Sequence, residues 1–212
     1  MSWFKIPSYL GTFWDLVQQQ LTMALVSVLF GLVIALPIGL ACARWPKIYP
    51  PILALVTVIF SLPSIALFML LLPFSGLTQT TVIIPLTFYS LAALIPNVYD
   101  GLRNVPEEVR LAAVAMGFSG LRRLLVVDLP LAVPPIIAGL RVATVSNISM
   151  VSVGALIGQG AFGALFTAAS QLDRTDLAWK GIIAIVVMAL AIDLLLVGAQ
   201  RLLTPWNKRR TA

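Results

Sequence analysis

Apolar residues along this chain do not alternate with polar ones; they run in long blocks separated by short clusters of charge, Gly and Pro. No Lys, Arg, Asp or Glu stands between Ile48 and Tyr99, which leaves room for two helices of about 20 residues each across a hydrocarbon core. The pattern predicts five membrane-spanning helices. The first covers 21–43, contains Gly31, Pro37 and Gly39, and stops at Arg44, Trp45, Pro46 and Lys47. The second, 51–73, carries Ser61, Pro63 and Ser64 near its middle. A proline there removes a backbone donor and crowds the preceding turn, so the span is expected to bend at that point. A turn at 74–79 leads to the third span, 80–97, which ends at Asp100; the fourth, 134–157, and the fifth, 181–203, are joined by 158–180.

Between the third and fourth spans lies the longest charge-dense stretch, 104–130, NVPEEVRLAAVAMGFSGLRRLLVVDLP. It predicts a short amphipathic helix, with Asn104 as its cap and Glu107 and Glu108 in the first turn, where the helix dipole favours anions. Gly117 is placed to end that helix, and Val109, Ala112, Ala113 and Met116 share one of its faces. Ser119 can cap a second short helix carrying Arg122 and Arg123, which runs into Leu129 and Pro130. A loop this ordered between two spans is expected to be a docking surface.

Composition turns the pattern into a class. Of 212 residues, 60% are hydrophobic and 10% charged, too little polar material to cover a water-soluble domain, so the chain is expected to be an all-α integral membrane protein. The formal charge of +6 does not point to nucleic acid, because the basic residues flank the spans rather than share one soluble face. With five spans the polar segments fall on two sides. Arg44, Lys47, Arg103, Arg110, Arg122, Arg123, Arg201, Lys208, Arg209 and Arg210 lie on one side; Lys5, Arg174 and Lys180 lie on the other. The positive-inside tendency puts the loop and the C-terminus in the cytoplasm and the N-terminus outside. The expected division is an extracytoplasmic interfacial segment, 1–20, a transmembrane domain, 21–203, and a basic cytoplasmic tail, 204–212. Trp3, Phe4, Phe13 and Trp14 suit an interfacial helix, and Pro7 interrupts what would be the core of a signal peptide.

Several chemistries lack their parts. There is no His and a single Cys, Cys42, which excludes a disulfide framework and starves zinc, Ser-His and Cys-His sites. No metal or other cofactor is expected. Gly158, Gly160 and Gly163 spell G-x-G-x-x-G, but no strand precedes them and they sit at the outer end of a span, so they are read as a gate or re-entrant turn. Asn147-Ile148-Ser149 spells a glycosylation sequon inside a span, out of reach. There is no G-x-x-x-x-G-K-[ST] anywhere, so any ATP-driven work needs another polypeptide.

The loop resembles the EAA signature of permease subunits of ATP-binding-cassette importers: E-A-A, three residues, G, nine residues, I, one residue, L-P. Ala112, Ala113, Gly117, Leu129 and Pro130 match in register, Val127 stands for the usual Ile, and Leu111 occupies the Glu position, with Glu107 and Glu108 one turn upstream. The resemblance implies a type I importer permease fold of five transmembrane helices, with Glu107, Glu108, Arg110, Leu111, Ala112, Ala113, Gly117, Leu129 and Pro130 coupling it to a cytoplasmic ATP-binding subunit. It also implies an extracytoplasmic substrate-binding protein and a dimeric pore made with a second copy or a paralogue; the pore sits in the lipid bilayer, and no nucleic acid is a partner. Three further stretches resemble the osmoprotectant subfamily, which moves quaternary amines such as glycine betaine, carnitine and choline. They are SLPSIALFMLLLP in span two, LIPNVYDGLRNVPEEVRLAAVAMG across span three and the loop, and GQGAFGALFTAASQLDRTDLAWKG after span four. FSGL at 74–77 departs from the glycine pair frequent in relatives. Methionine permeases are similar in length and layout, and a self-contained channel or carrier is the reading outside this class.

Two sets of polar residues lie inside the spans. Ser146, Asn147, Ser149 and Ser152 either line a translocation pathway or bond helix to helix, and the two roles are compatible. Arg141 and Asp193 lie at a shared depth of roughly 10–12 Å, counted at about 1.5 Å per residue from the cytoplasmic ends of spans four and five. Either they pair, or Arg141 reaches out to the headgroups while Asp193 faces a water-filled cavity or is protonated.

Overall fold

The structure is a computed structural model that describes Pro7 and residues 10–204; the basic tail beyond Thr204 and most of the first nine residues lie outside the described part. The described chain is helical, with no strand among its residues. Helix α1, Phe13–Arg44, starts earlier than the apolar pattern predicts. A capping box fixes its start: the Thr12 N–H donates to Asp15 Oδ2 at 2.8 Å and the Asp15 N–H to Thr12 Oγ1 at 3.3 Å. Phe13 and Trp14 therefore stand in the first turn of α1, and 13–20 is helically continuous with 21–43.

The second span is broken. Helix α2, Tyr49–Ser61, and helix α3, Ser64–Ser75, meet at 87°. Pro63 drives Leu62 into extended backbone (φ −69°, ψ 141°), because a residue before proline cannot hold the helical conformation without a clash. The expected bend is thus nearly a right angle, and the Leu62 carbonyl it frees accepts the Tyr89 hydroxyl at 2.7 Å.

Helix α4, Thr80–Arg103, is central and packs against α1, α2 and α3. Its seam with α1 is lined by small residues. A Cβ on Gly31 would come within 2.7 Å of Ser90 Cβ, and one on Gly39 within 2.5 Å of Val98 Cγ1, so glycine is what permits this approach. The loop contributes α5, Glu107–Ala115, and α6, Gly120–Arg123. A wide turn, Leu124–Asp128, then leads into α7, Leu129–Val151, which packs on α4, α1 and the last long helix. Two 3-10 segments, Ser152–Ile157 and Ala161–Gly163, precede α8, Ala164–Gln171, and α9, Thr175–Leu203. Met23, Phe68, Leu86, Ile148, Phe162 and Leu165 form the heart of the core. Large apolar side chains such as Leu29, Leu190, Leu194 and Leu195 point outward, as lipid-facing positions do. Among the described residues, four helices are long and apolar enough to cross a membrane, and the broken pair α2–α3 makes a fifth crossing if counted as one span.

Candidate functional site: the polar loop and the cavity in the bundle

The loop begins differently from its sequence expectation. Asn104 closes α4, its N–H bonding Asp100 O at 2.9 Å, and Pro106 takes the cap position of α5. The reason is length: α4 continues to Arg103, so Asn104 is spent on ending one helix and cannot begin the next. Glu107 and Glu108 occupy the first turn of α5 and are exposed. At the other end the Phe118 N–H bonds Ala113 O at 3.1 Å and the Gly117 N–H bonds Val114 O at 2.9 Å, with Gly117 at φ +79°: a Schellman closure. Ser119 stands at the cap position of α6 without a side-chain capping bond.

Most of the apolar side of α5 is left uncovered by the described residues. Ala113 is buried, yet Val109, Ala112 and Met116, which share its predicted face, are exposed, as are Leu111 (60%), Val114 and Leu121. This is a short helix with a run of large apolar side chains turned outward.

What holds α5 in place is a residue that the sequence reading passed over. Arg110 Nη2 donates to Leu102 O at 2.5 Å, while its Nε lies 3.5 Å from Asp128 Oδ1; Arg123 Nε lies 3.4 Å from Asp128 Oδ2. The Asp128 side chain is only 8% exposed, so one carboxylate joins α5, α6 and the entry to α7. The signal was present, since Asp128 is the sole acidic residue between Glu108 and Asp173 and directly precedes Leu129-Pro130. At that point the Leu129 N–H reaches back five residues to Leu124 O, which gives the wide turn, and Pro130, with no N–H of its own, follows at the start of α7.

Further along α7 a cavity of about 330 Å³ opens between α2, α4 and α7, lined by Thr57, Phe60, Tyr89, Ser90, Ser146 and Asn147 among others. Ser146 and Asn147 are thus brought together on one wall. Asn147 also ties helices: its Nδ2 donates to Ser90 Oγ at 2.9 Å. Ser149 does not join them; it is exposed, its Oγ bonding Val145 O at 3.3 Å. Ser152 lies at a third place, 3.4 Å from the buried Gln20 Nε2. Gln20 was not a sequence candidate either. Its Nε2 donates to Ile148 O at 2.5 Å and its Oε1 accepts the Phe162 N–H at 3.2 Å, so it locks α1 to α7 and to the glycine turn. In that turn Gly158 has φ +76°, and a Cβ on Gly160 or Gly163 would overlap the backbone of Ala155 or Ser152. The two 3-10 segments are therefore packed directly on each other.

Arg141 and Asp193 face each other across α7 and α9. Arg141 Nε donates to Asp193 Oδ1 at 2.7 Å and Nη2 to Oδ2 at 2.8 Å, a bidentate pair with both side chains partly exposed.

Residues 27–209 match the profile of the family described as binding-protein-dependent transport system inner membrane component. The chain belongs to that family. Inner-membrane components of this kind among its relatives include the choline transport system permease proteins OpuBD and OpuBB of Bacillus subtilis (strain 168). OpuBD is 34% identical over 89% of this chain and 84% of its own length, and OpuBB 30% identical over 91% and 88%. The osmoprotectant import permease protein OsmW of Salmonella typhimurium is 31% identical over 90% of this chain and 91% of its own. Among solved structures, an inward-facing form of the MetNI methionine ABC transporter superposes with a TM-score of 0.77, covering 89% of this chain and 94% of that one at 23% identity. The importer permease fold expected from the loop motif is the fold found, and as a family member the chain is a transport component of the inner membrane.

Proposed function

We propose that this chain is the permease subunit of an ATP-binding-cassette importer for a small osmoprotectant carrying a quaternary amine, such as choline, carnitine or glycine betaine. An extracytoplasmic binding protein delivers the solute. ATP is hydrolysed on a separate cytoplasmic subunit that docks on α5 and α6, and the pore is completed by a second copy or a paralogue. The observation that carries the coupling role is the outward apolar face of a helix that Arg110 ties to Leu102 O and that the Gly117 closure ends. The substrate class rests on relatives, aligned nearly end to end, that are named for choline and osmoprotectant transport. The likeness to a methionine transporter is one of fold at 23% identity and does not favour methionine. Ser146 and Asn147 supply the polar wall of the solute path. The N-terminus is outside and the C-terminus cytoplasmic, by the charge bias of the connecting segments.

The test is purification of the tagged chain from its native membrane, followed by identification of what accompanies it and by uptake of labelled choline, glycine betaine and methionine. An ATPase is expected in stoichiometric amount, with uptake of a quaternary amine. A chain that reproducibly arrives without an ATPase, yet conducts solute, would instead be a self-contained channel or carrier.

A further inference from the structure

Two ion pairs in this molecule differ in a telling way. Arg141 and Asp193 are fully closed, with two hydrogen bonds of 2.7 and 2.8 Å. Asp128 is flanked by two guanidinium groups at 3.5 and 3.4 Å, distances at which charges attract but hydrogen bonds are not made; closed charge-assisted bonds run about 2.7–2.9 Å. Arg110 Nε, Arg123 Nε and Asp128 Oδ1 are buried without a hydrogen-bond partner. Buried charged groups in that condition gain by closing, and one carboxylate lies between two donors, one from α5 and one from α6. Moving toward Arg110 lengthens the Arg123 arm, and the reverse.

The position of this carboxylate in the chain gives the competition a consequence. Asp128 is the last residue of the wide turn, whose bond spans five residues back instead of four, a local slackening that lets a helix rotate or shift without unwinding. The next residue begins α7, which carries Ser146 and Asn147 on the cavity wall. Among the described residues, every polar side-chain link from α5 to the rest of the fold passes through Arg110, to Leu102 O and to Asp128. Beside the packing of α5 on α6 and on the wide turn, this carboxylate is the polar side-chain route by which a push on the outward face of α5 reaches the start of α7.

Resting on the transport reading above, we propose that Asp128 is a positioning residue for coupling: a pivot with two closed arrangements, favouring Arg110 or Arg123, that converts movement of the docked ATPase into movement of the cavity-lining helix. It touches neither solute nor nucleotide. It acts through the two arginines.

The experiment uses the complex captured through the tagged chain from native membranes and reconstituted in liposomes, with labelled choline and glycine betaine as probes. Asp128→Asn is expected to keep the ATPase bound in the wild-type ratio and to keep ATP hydrolysis, while solute moved per ATP falls about tenfold or more. Asp128→Glu, whose carboxylate still reaches both guanidinium groups, should recover a large part of that ratio. If Asp128→Asn fails to reach the membrane, Arg123→Gln takes its place: it leaves the carboxylate committed to Arg110 and should show the same fall. Wild-type solute per ATP in whichever variant assembles overturns the pivot. So does a variant that only loses ATPase binding, which would make Asp128 a strut of the docking face. If the wild-type chain itself brings no ATPase, the importer reading fails, and the pivot with it.

Discussion

Arg141 and Asp193 were placed at a common depth by counting residues from the cytoplasmic ends of two spans, and in the structure they meet as a bidentate pair. An ionised group within the membrane is tolerated when it finds a partner, so losing one member should do more harm than losing both. In a double-mutant cycle, Arg141→Met or Asp193→Leu alone is expected to lower membrane abundance several-fold, and the combined variant to recover much of it. Additive losses, read by quantitative immunoblot of membranes and by uptake, would mean that the pair carries no coupling energy. Opposite signs at equal depth made this pair readable in the sequence. Asp128 was not readable in the same way, because its partners lie on two helices whose mutual position only the loop's closure decides. Gln20 was hidden for a related reason: its bonds go to a carbonyl of α7 and an amide of the glycine turn, which no side-chain pattern announces. Ser146, Ser149 and Ser152 look alike along the chain; the first two part by which side of α7 meets α2 and α4, while Ser152 lies past the end of α7, beside Gln20 of α1.

The coupling helix shows how far local rules reach. Gly117 was expected to end α5, and it does so at φ +79°, in a left-handed conformation that costs an ordinary residue roughly 1–2 kcal/mol. A Cβ there would meet no other atom of the chain, so the penalty is conformational and not steric. Gly117→Asn, which tolerates left-handed backbone, should transport within about twofold of wild type. Gly117→Val should insert normally yet lose about tenfold in uptake and in ATPase stimulation. Equal activity in both variants would remove the loop from the coupling role. The start of α5 was misread for an equally local reason, since the competition for Asn104 was won by α4. Pro63 predicts a bend between α2 and α3 but not its right angle, because the freed Leu62 carbonyl takes its donor, the Tyr89 hydroxyl, from a different helix.

The five-crossing layout followed from apolar block lengths alone, and the central role of α4 did not, because burial inside a membrane protein is not a matter of hydropathy: α1 and α9 are more apolar than α4, yet α4 is the one surrounded. Orientation remains a matter of charge. With Cys42 buried, the native chain is expected to be silent toward a membrane-impermeant thiol reagent. A Ser170→Cys variant, in the exposed end of α8, should then label from outside on intact cells, and Ser119→Cys only after the membrane is opened and the ATPase stripped. The reverse labelling pattern would invert the topology and take the docking of a cytoplasmic ATPase with it.

The broken span also bears on how the protein is made. Helices of 13 and 12 residues extend only about 20 and 18 Å, each short of a hydrocarbon core about 30 Å thick, so neither half can be inserted as a crossing of its own. Tyr89, whose hydroxyl donates to the Leu62 carbonyl, is synthesised later, on the following helix. During biosynthesis the insertion machinery therefore meets residues 51–73 as one apolar run interrupted by Pro63, and the Leu62 carbonyl that the elbow frees gains the Tyr89 donor only when α4 arrives beside it.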